Sequence, residues 1–155
     1  QAQCIRDLHY LAEHGFRPER VLDIGAFMGE WTKEYLDVFP DSYFTMVDAN
    51  DKYREIWSSR FGSSGRVDSE VAVLDSYAHQ VTWWAGVWGT GDSIFREKTI
   101  YYRGNKSAHL RQAETLDMLL ERTGRSHSYA LVKLDAQGAE IAVLRGAPRV
   151  LHGVQ

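Results

Sequence analysis

Three short apolar runs constrain this chain more than any other feature. "RVLDIG" begins at Arg20, "SYFTMVDAN" at Ser42 and "ALVKLD" at Ala130, and they deliver Asp23, Asp48 and Asp135 at or near their carboxyl ends. Runs this short, apolar on both faces, read as strands buried in a parallel sheet. The stretches between them have helical period instead. Ile5, Leu8, Leu11 and Ala12 share a face of residues 3–14, Trp31, Tyr35 and Phe39 recur in residues 30–39, and Leu116, Leu119 and Leu120 recur in residues 114–124. Gly15, Pro40, Gly62 and Gly124 supply the stops, and Asn50 caps a helix over residues 51–61. Alternation of this kind specifies an α/β fold, a mostly parallel sheet with helices on both faces. Ligands of such sheets bind outside the carboxyl ends of the strands, which is where the aspartates fall.

Residues 69–75 read as a third strand and the aromatic residues 80–88 as a further one, an arm of a hairpin. Residues 89–111 read as a glycine-containing, cation-rich loop that carries a short strand at "TIYYR". A last helix follows the strand at 130–135. Without a repeat, linker or low-complexity tract, residues 1–155 form a single domain.

Composition closes several other classes. A net charge of −3 provides no basic field for nucleic acid or anionic lipid, and no apolar run is long enough to span a bilayer. The single cysteine, Cys4, excludes an intrachain disulfide and a cysteine zinc site, and fits a reducing compartment such as the cytoplasm. The six histidines (9, 14, 79, 109, 127 and 152) show no metal-ligand spacing, so no metal is expected.

In "DIGAFMG", Gly25 permits a tight turn and Gly29 sits at the start of a helix whose free N–H groups can meet a polar ligand. Asp48, 19 residues after Gly29, stands where an acid accepts hydrogen bonds from ribose hydroxyls. The dinucleotide fingerprint requires glycines at positions occupied by Phe27 and Glu30, and Glu30 places negative charge where a pyrophosphate would lie. A cationic cofactor tolerates that acid better, so the pattern favours S-adenosylmethionine over NAD.

"RVLDIGAFMGEWT", "FTMVDAN", "TLDMLL" and "LVKLDAQGAEIAVLRGA" together resemble the FkbM-type methyltransferases, a branch of the class I S-adenosylmethionine-dependent enzymes. The closing signature of that family, K-[IL]-D-x-[EQ]-G-x-E-x-x-[VL]-[LI]-x-G, is satisfied from Lys133 to Gly146, and the resemblance covers residues 18–150. It implies a Rossmann-like methyltransferase sandwich and transfer of a methyl group to a hydroxyl of a sugar, glycan or natural product. By position it implies cofactor contacts from Asp23, Gly25, Ala26, Phe27 and Gly29, from Asp48 and Ala49, and from Ala72 and Val73 beside the adenine. The family often has Asn at Phe27. Its fold also continues with three further strands, so the chain as given reads as a domain incomplete at its carboxyl end. A binding module without turnover is the alternative function, and an NAD-dependent oxidoreductase a more distant one.

Asp135 and Glu140 are the candidate catalytic acids. Removing a proton from a neutral alcohol during methyl transfer requires a base, and Asp135 is placed for it at the end of the central strand. Glu140 opens the last helix, where the helix dipole alone would favour an acid. Lys133 lies in a strand that is otherwise buried and is expected to pair with a carboxylate. Trp83, Trp84 and Trp88 are expected to pack in the core, and His109 to lie exposed in the basic loop.

Overall fold

The computed structural model describes residues 2–86, 91–96 and 106–153. The elements in chain order are α1 (Ala2–Glu13), β1 (Arg20–Ile24), α2 (Glu30–Val38), β2 (Tyr43–Asp48), a 3-10 turn (Asp51–Tyr53), α3 (Arg54–Phe61), β3 (Val67–Val71), β4 (Val73–Leu74), β5 (His79–Gly86), β6 (Lys106–Glu114), α4 (Leu116–Arg122), β7 (Leu131–Leu134), α5 (Glu140–Arg145) and α6 (Pro148–Gly153).

Four parallel strands form the main sheet in the order β3-β2-β1-β7. This is the order of a Rossmann-like half-sheet, in which the chain moves outward from β1 and then crosses to its other side. Alternation of side chains along the strands divides the core between the two faces. Val21 and Phe44 pack with Leu8, Tyr35 and Phe39 beneath α1 and α2. Leu22, Ile24 and Val47 face the other way and pack with Leu116, Leu119, Leu120, Val143 and Val150 from α4, α5 and α6. Met46, Tyr53, Trp57 and Phe61 fill a third cluster under α3. Burying this apolar surface on both faces is what holds the parallel sheet together.

The strand read at 69–75 is two strands. β3 ends at Val71 in the main sheet, while β4 begins at Val73 in a second sheet ordered β4-β6-β5. Ala72 lies between them and donates its N–H to the Asp48 carbonyl at 3.0 Å, which ends the pairing with β2. The hairpin expected from 80–88 is present, with β5 pairing antiparallel to β6. The loop reading of 89–111 is corrected in part, because residues from Lys106 onward belong to β6. Trp88 and the "TIYYR" segment lie outside the described residues. The helix read at 51–61 begins as a 3-10 turn, whose Asn50 side chain accepts from the Lys52 N–H. The last helix divides into α5 and α6 at Gly146, where a Cβ would press on the Asp75 carbonyl and stand 3.1 Å from Thr115.

Among the described residues no helix is long and apolar enough to cross a membrane.

Candidate functional site

A cleft of about 250 Å³ opens at the carboxyl ends of β1, β2 and β7. Its size is near the lower end of small-molecule sites, roughly 300–1,000 Å³. Gly25 and Phe27 line it from the loop after β1, Asp48 and Ala49 from the end of β2, and Asp135, Ala136 and Gln137 from the turn after β7. Ala72, Val73 and Trp83 close one side, and Asp92, Ser93 and Ile94 reach in from the segment after β5.

The loop after β1 is held tightly. Gly25 has φ +74°, and the N–H groups of Gly25 and Ala26 both donate to the Val47 carbonyl, at 2.8 and 3.1 Å. Phe27 also takes a positive φ, 51°, which costs a non-glycine residue roughly 1–2 kcal/mol. Three contacts hold it there. Its N–H donates to Asp48 Oδ2 at 2.8 Å, its carbonyl accepts from Trp57 Nε1 at 2.7 Å, and its ring meets Tyr53 edge-on at 4.9 Å. An asparagine would adopt this conformation more easily.

Asp48 accepts from two backbone donors, Phe27 through Oδ2 and Asn50 through Oδ1 at 2.9 Å. Burial raises its pKa above the ordinary carboxylate value, and the nearby Asp92 adds to this, while the two N–H groups pull the other way. Each carboxylate oxygen has a second lone pair, so both can still accept from a ligand. Asp92 is tied to the same network. Its Oδ2 accepts from Asn50 Nδ2 at 2.8 Å and its Oδ1 from the Gly86 N–H at 2.6 Å. Sequence reasoning missed Asp92, whose only signal was an acid beside glycine in a stretch read as loop.

Asp135 sits at the mouth of the cleft, where its Oδ1 accepts from Gln137 Nε2 at 2.8 Å. Gln137 has φ +53° and Gly138 φ +96°, a sharp turn that leads into α5. Glu140 does not line the cleft. Its Oε1 accepts from the N–H groups of Ala136 at 3.0 Å and Gly138 at 3.1 Å, so it fastens the turn. Burial raises its pKa, but the backbone donors of Glu140, Gly138, Ala136 and Gln137 outweigh that and leave it lowered.

Three other residues expected at the cofactor stand behind the cleft. Asp23 is fully buried on the α2 side of the sheet, with Oδ2 accepting from Thr32 Oγ1 at 2.8 Å and Oδ1 3.0 Å from Lys133 Nζ. Burial pushes its carboxyl pKa up, against the pull of Lys133 and Thr32. Ala26 is core. Gly29 caps α2 with φ +82°, and a Cβ there would stand 2.7 Å from the Phe61 ring. Its N–H is spent on the Ala26 carbonyl, at 2.8 Å.

The aromatic residues divide as well. Trp83 is buried against the cleft, with the Arg111 guanidinium over its ring at 5.1 Å and the same side chain donating to the Ala49 carbonyl. Trp84 is half-buried beneath Arg96. His109 is exposed on β6 beside Ser107. Among the described residues no group of three or more His, Cys, Asp or Glu is disposed to hold a metal ion.

The fold and site define an α/β protein with a Rossmann-like half-sheet and an acidic cleft at its strand ends. No protein-family model matches the chain, and no curated protein matches it. Among solved structures, it is similar to the O-methyltransferase TomG of Streptomyces achromogenes, involved in tomaymycin synthesis and solved with S-adenosylmethionine. The identity is 25% over 46% of this chain and 33% of that one, with a TM-score of 0.37. A putative O-methyltransferase of Nostoc punctiforme is 18% identical over 44% of this chain and 22% of its own, with a TM-score of 0.33. The mitomycin 7-O-methyltransferase MmcR is 21% identical over 41% and 20%, with a TM-score of 0.30. The chain thus spans a third or less of the length of these structures. The fold assignment rests on the strand order and not on these likenesses.

Proposed function

We propose that the cleft binds S-adenosylmethionine and that the protein transfers its methyl group to a hydroxyl of a small-molecule or glycan acceptor. One observation carries the reading. Three carboxylates, Asp48, Asp92 and Asp135, line the cleft, and among the described residues no Lys, Arg or His lines it. Such a lining attracts a cation and repels the pyrophosphate of a dinucleotide. The helix start behind it offers no remedy for a phosphate, since the Gly29 N–H is bonded within the loop and Glu30 opens α2.

When bound, the cofactor would supply an electrophilic methyl group on a positively charged sulfur. Asp48 would accept from the ribose hydroxyls through its free lone pairs, and Ala72 and Val73 would flank the base. Asp135 has Oδ2 left to take the proton of the acceptor hydroxyl as the new O–C bond forms. The cofactor would supply the methyl carbon and would keep the electron pair of its carbon–sulfur bond as a neutral thioether. Aligning the three reacting atoms is the protein's main contribution. The signature from Lys133 to Gly146 supports placing the activity in the FkbM-type branch, and the single cysteine supports a cytoplasmic setting.

Calorimetry with S-adenosylmethionine, S-adenosylhomocysteine and NAD tests the binding reading. The sulfonium form should bind most tightly and NAD not at all, and absence of heat with both sulfur nucleosides sinks the proposal. Transfer of labelled methyl to a panel of hydroxylated acceptors tests the reaction.

A further inference from the structure

We infer that Lys133 is a positioning residue that holds the Gly25 loop to the strand that leads into Asp135. Lys133 lies in β7 directly opposite Asp23 of β1. Its ammonium has three N–H donors, and three oxygens surround it. Asp23 Oδ1 is at 3.0 Å, the Gly25 carbonyl at 2.7 Å and the Ile24 carbonyl at 3.3 Å. The two carbonyls lie at the point where β1 gives way to the cleft loop. Gly25 is therefore gripped from both sides, its N–H by the Val47 carbonyl of β2 and its C=O by Lys133 of β7.

The buried Asp23 has a distinct part in this arrangement. An ammonium facing only carbonyls in a mostly buried position would be poorly compensated, and an unpaired carboxylate there more so. Asp23 fixes the charge of Lys133, and Thr32 of α2 fixes Asp23. The chain of contacts runs from α2 through Asp23 and Lys133 to the carbonyl of Gly25, two residues before Phe27, whose N–H donates to Asp48. Lys133 does not line the cleft, so its effect on a ligand passes through the loop.

The affinity arm of the test rests on the sulfonium-cofactor reading, whereas the exchange arm does not. Lys133→Met alone strands the buried Asp23, so Asp23→Asn/Lys133→Met, which removes both charges, is the main variant. Amide hydrogen exchange by NMR in the ligand-free protein should be about tenfold or more faster at Ala26 and Phe27 in the double variant, the loss expected for a charge-assisted hydrogen bond, while Leu22 keeps its protection. S-adenosylmethionine affinity should fall by about the same factor. Asp23→Asn alone strands the ammonium among carbonyls and should lower Tm, but it keeps the bond to the Gly25 carbonyl, so loop exchange and affinity should change less than in the double variant. Thr32→Val perturbs only the Asp23 side and should lower Tm without changing affinity. Unchanged loop exchange in the double variant overturns the role of Lys133. If the parent protein binds no S-adenosylmethionine, the functional reading fails and the exchange rates alone decide the role of Lys133.

Discussion

Gly25 and Asp135 touch through their backbones: a Cβ on Gly25 would overlap the carbonyl oxygen of Asp135. The cleft loop after β1 and the turn that carries the proposed base thus share a single contact surface. With φ +74° the position is also unfavourable for any side chain. Gly25→Ala is expected to part β1 from β7 at their carboxyl ends and cost roughly 2–5 kcal/mol, overpacking and left-handed strain together. Gly15→Ala is the control, since its φ is +91° but nothing lies within 4 Å of the added carbon. It should cost about 1–2 kcal/mol of strain alone. Urea denaturation of the two variants checks the difference, and equal costs would contradict the contact.

Glu140 serves the turn, so its removal should register as stability. Glu140→Gln weakens the acceptor for the Ala136 and Gly138 N–H groups and should cost about 1 kcal/mol at pH 7. The sign with pH follows from its lowered folded pKa. A lowered carboxylate contributes stability that is present above its unfolded value, near 4.5, and is lost as pH falls through the folded pKa. The gap between parent and Glu140→Gln should therefore close below about pH 4.5. Chemical denaturation at several pH values measures it, and a constant gap would argue against the capping role.

Asp48 has the opposite sign. Burial raises its folded pKa above 3.8, so the folded state holds the proton more tightly than the unfolded chain does. Its contribution to stability is complete below the unfolded pKa and is lost as pH rises through the raised folded value. A cationic ligand responds the other way, because it favours the ionised carboxylate. S-adenosylmethionine affinity should rise with pH across this window while the stability of the ligand-free protein loses the Asp48 share. Calorimetry and thermal unfolding in matched buffers, from mildly acidic to neutral pH, test the pair of trends. Affinity that is flat or falls with pH would remove Asp48 from the ligand.

Much of this arrangement could be read from residue order, and the parts that could not have a common cause. The apolar runs around Leu22, Val47 and Val132 are local signals, and so are the helical spacings of Tyr35 and Leu119; each specifies an element without reference to a partner. The exchange of sheets at Ala72 depends on where the Asp48 carbonyl lies, which only the assembled sheet determines. β6 was hidden because Ser107, His109 and Arg111 carry no apolar alternation; pairing with Val81, Trp83 and Ala85 makes that segment a strand. Asp92 was illegible for the same reason, since its place at the cleft comes from the β5 hairpin and Asn50. Lys133 could be read as half of an ion pair, but its hold on Gly25 appears only when β1 and β7 lie side by side.

Asp135→Asn provides the sharpest separation between binding and chemistry. The substitution keeps the size of the side chain and leaves an oxygen able to accept from Gln137, so the turn should survive. It removes the only proton acceptor assigned to the reaction. Turnover should fall by about 10²- to 10⁴-fold, the range for loss of a positioned base. Affinity for S-adenosylmethionine should weaken far less, because Asp48 and Asp92 still supply negative charge to the cleft. A control at Gln137→Ala frees Asp135 Oδ1 without altering charge and should lower kcat modestly through looser orientation of the base. Single-turnover methyl transfer and calorimetry on the same preparations distinguish the outcomes. Retention of turnover in Asp135→Asn would show that proton removal lies with water or with the acceptor itself. An equal loss of turnover and affinity would instead assign Asp135 to holding the cofactor.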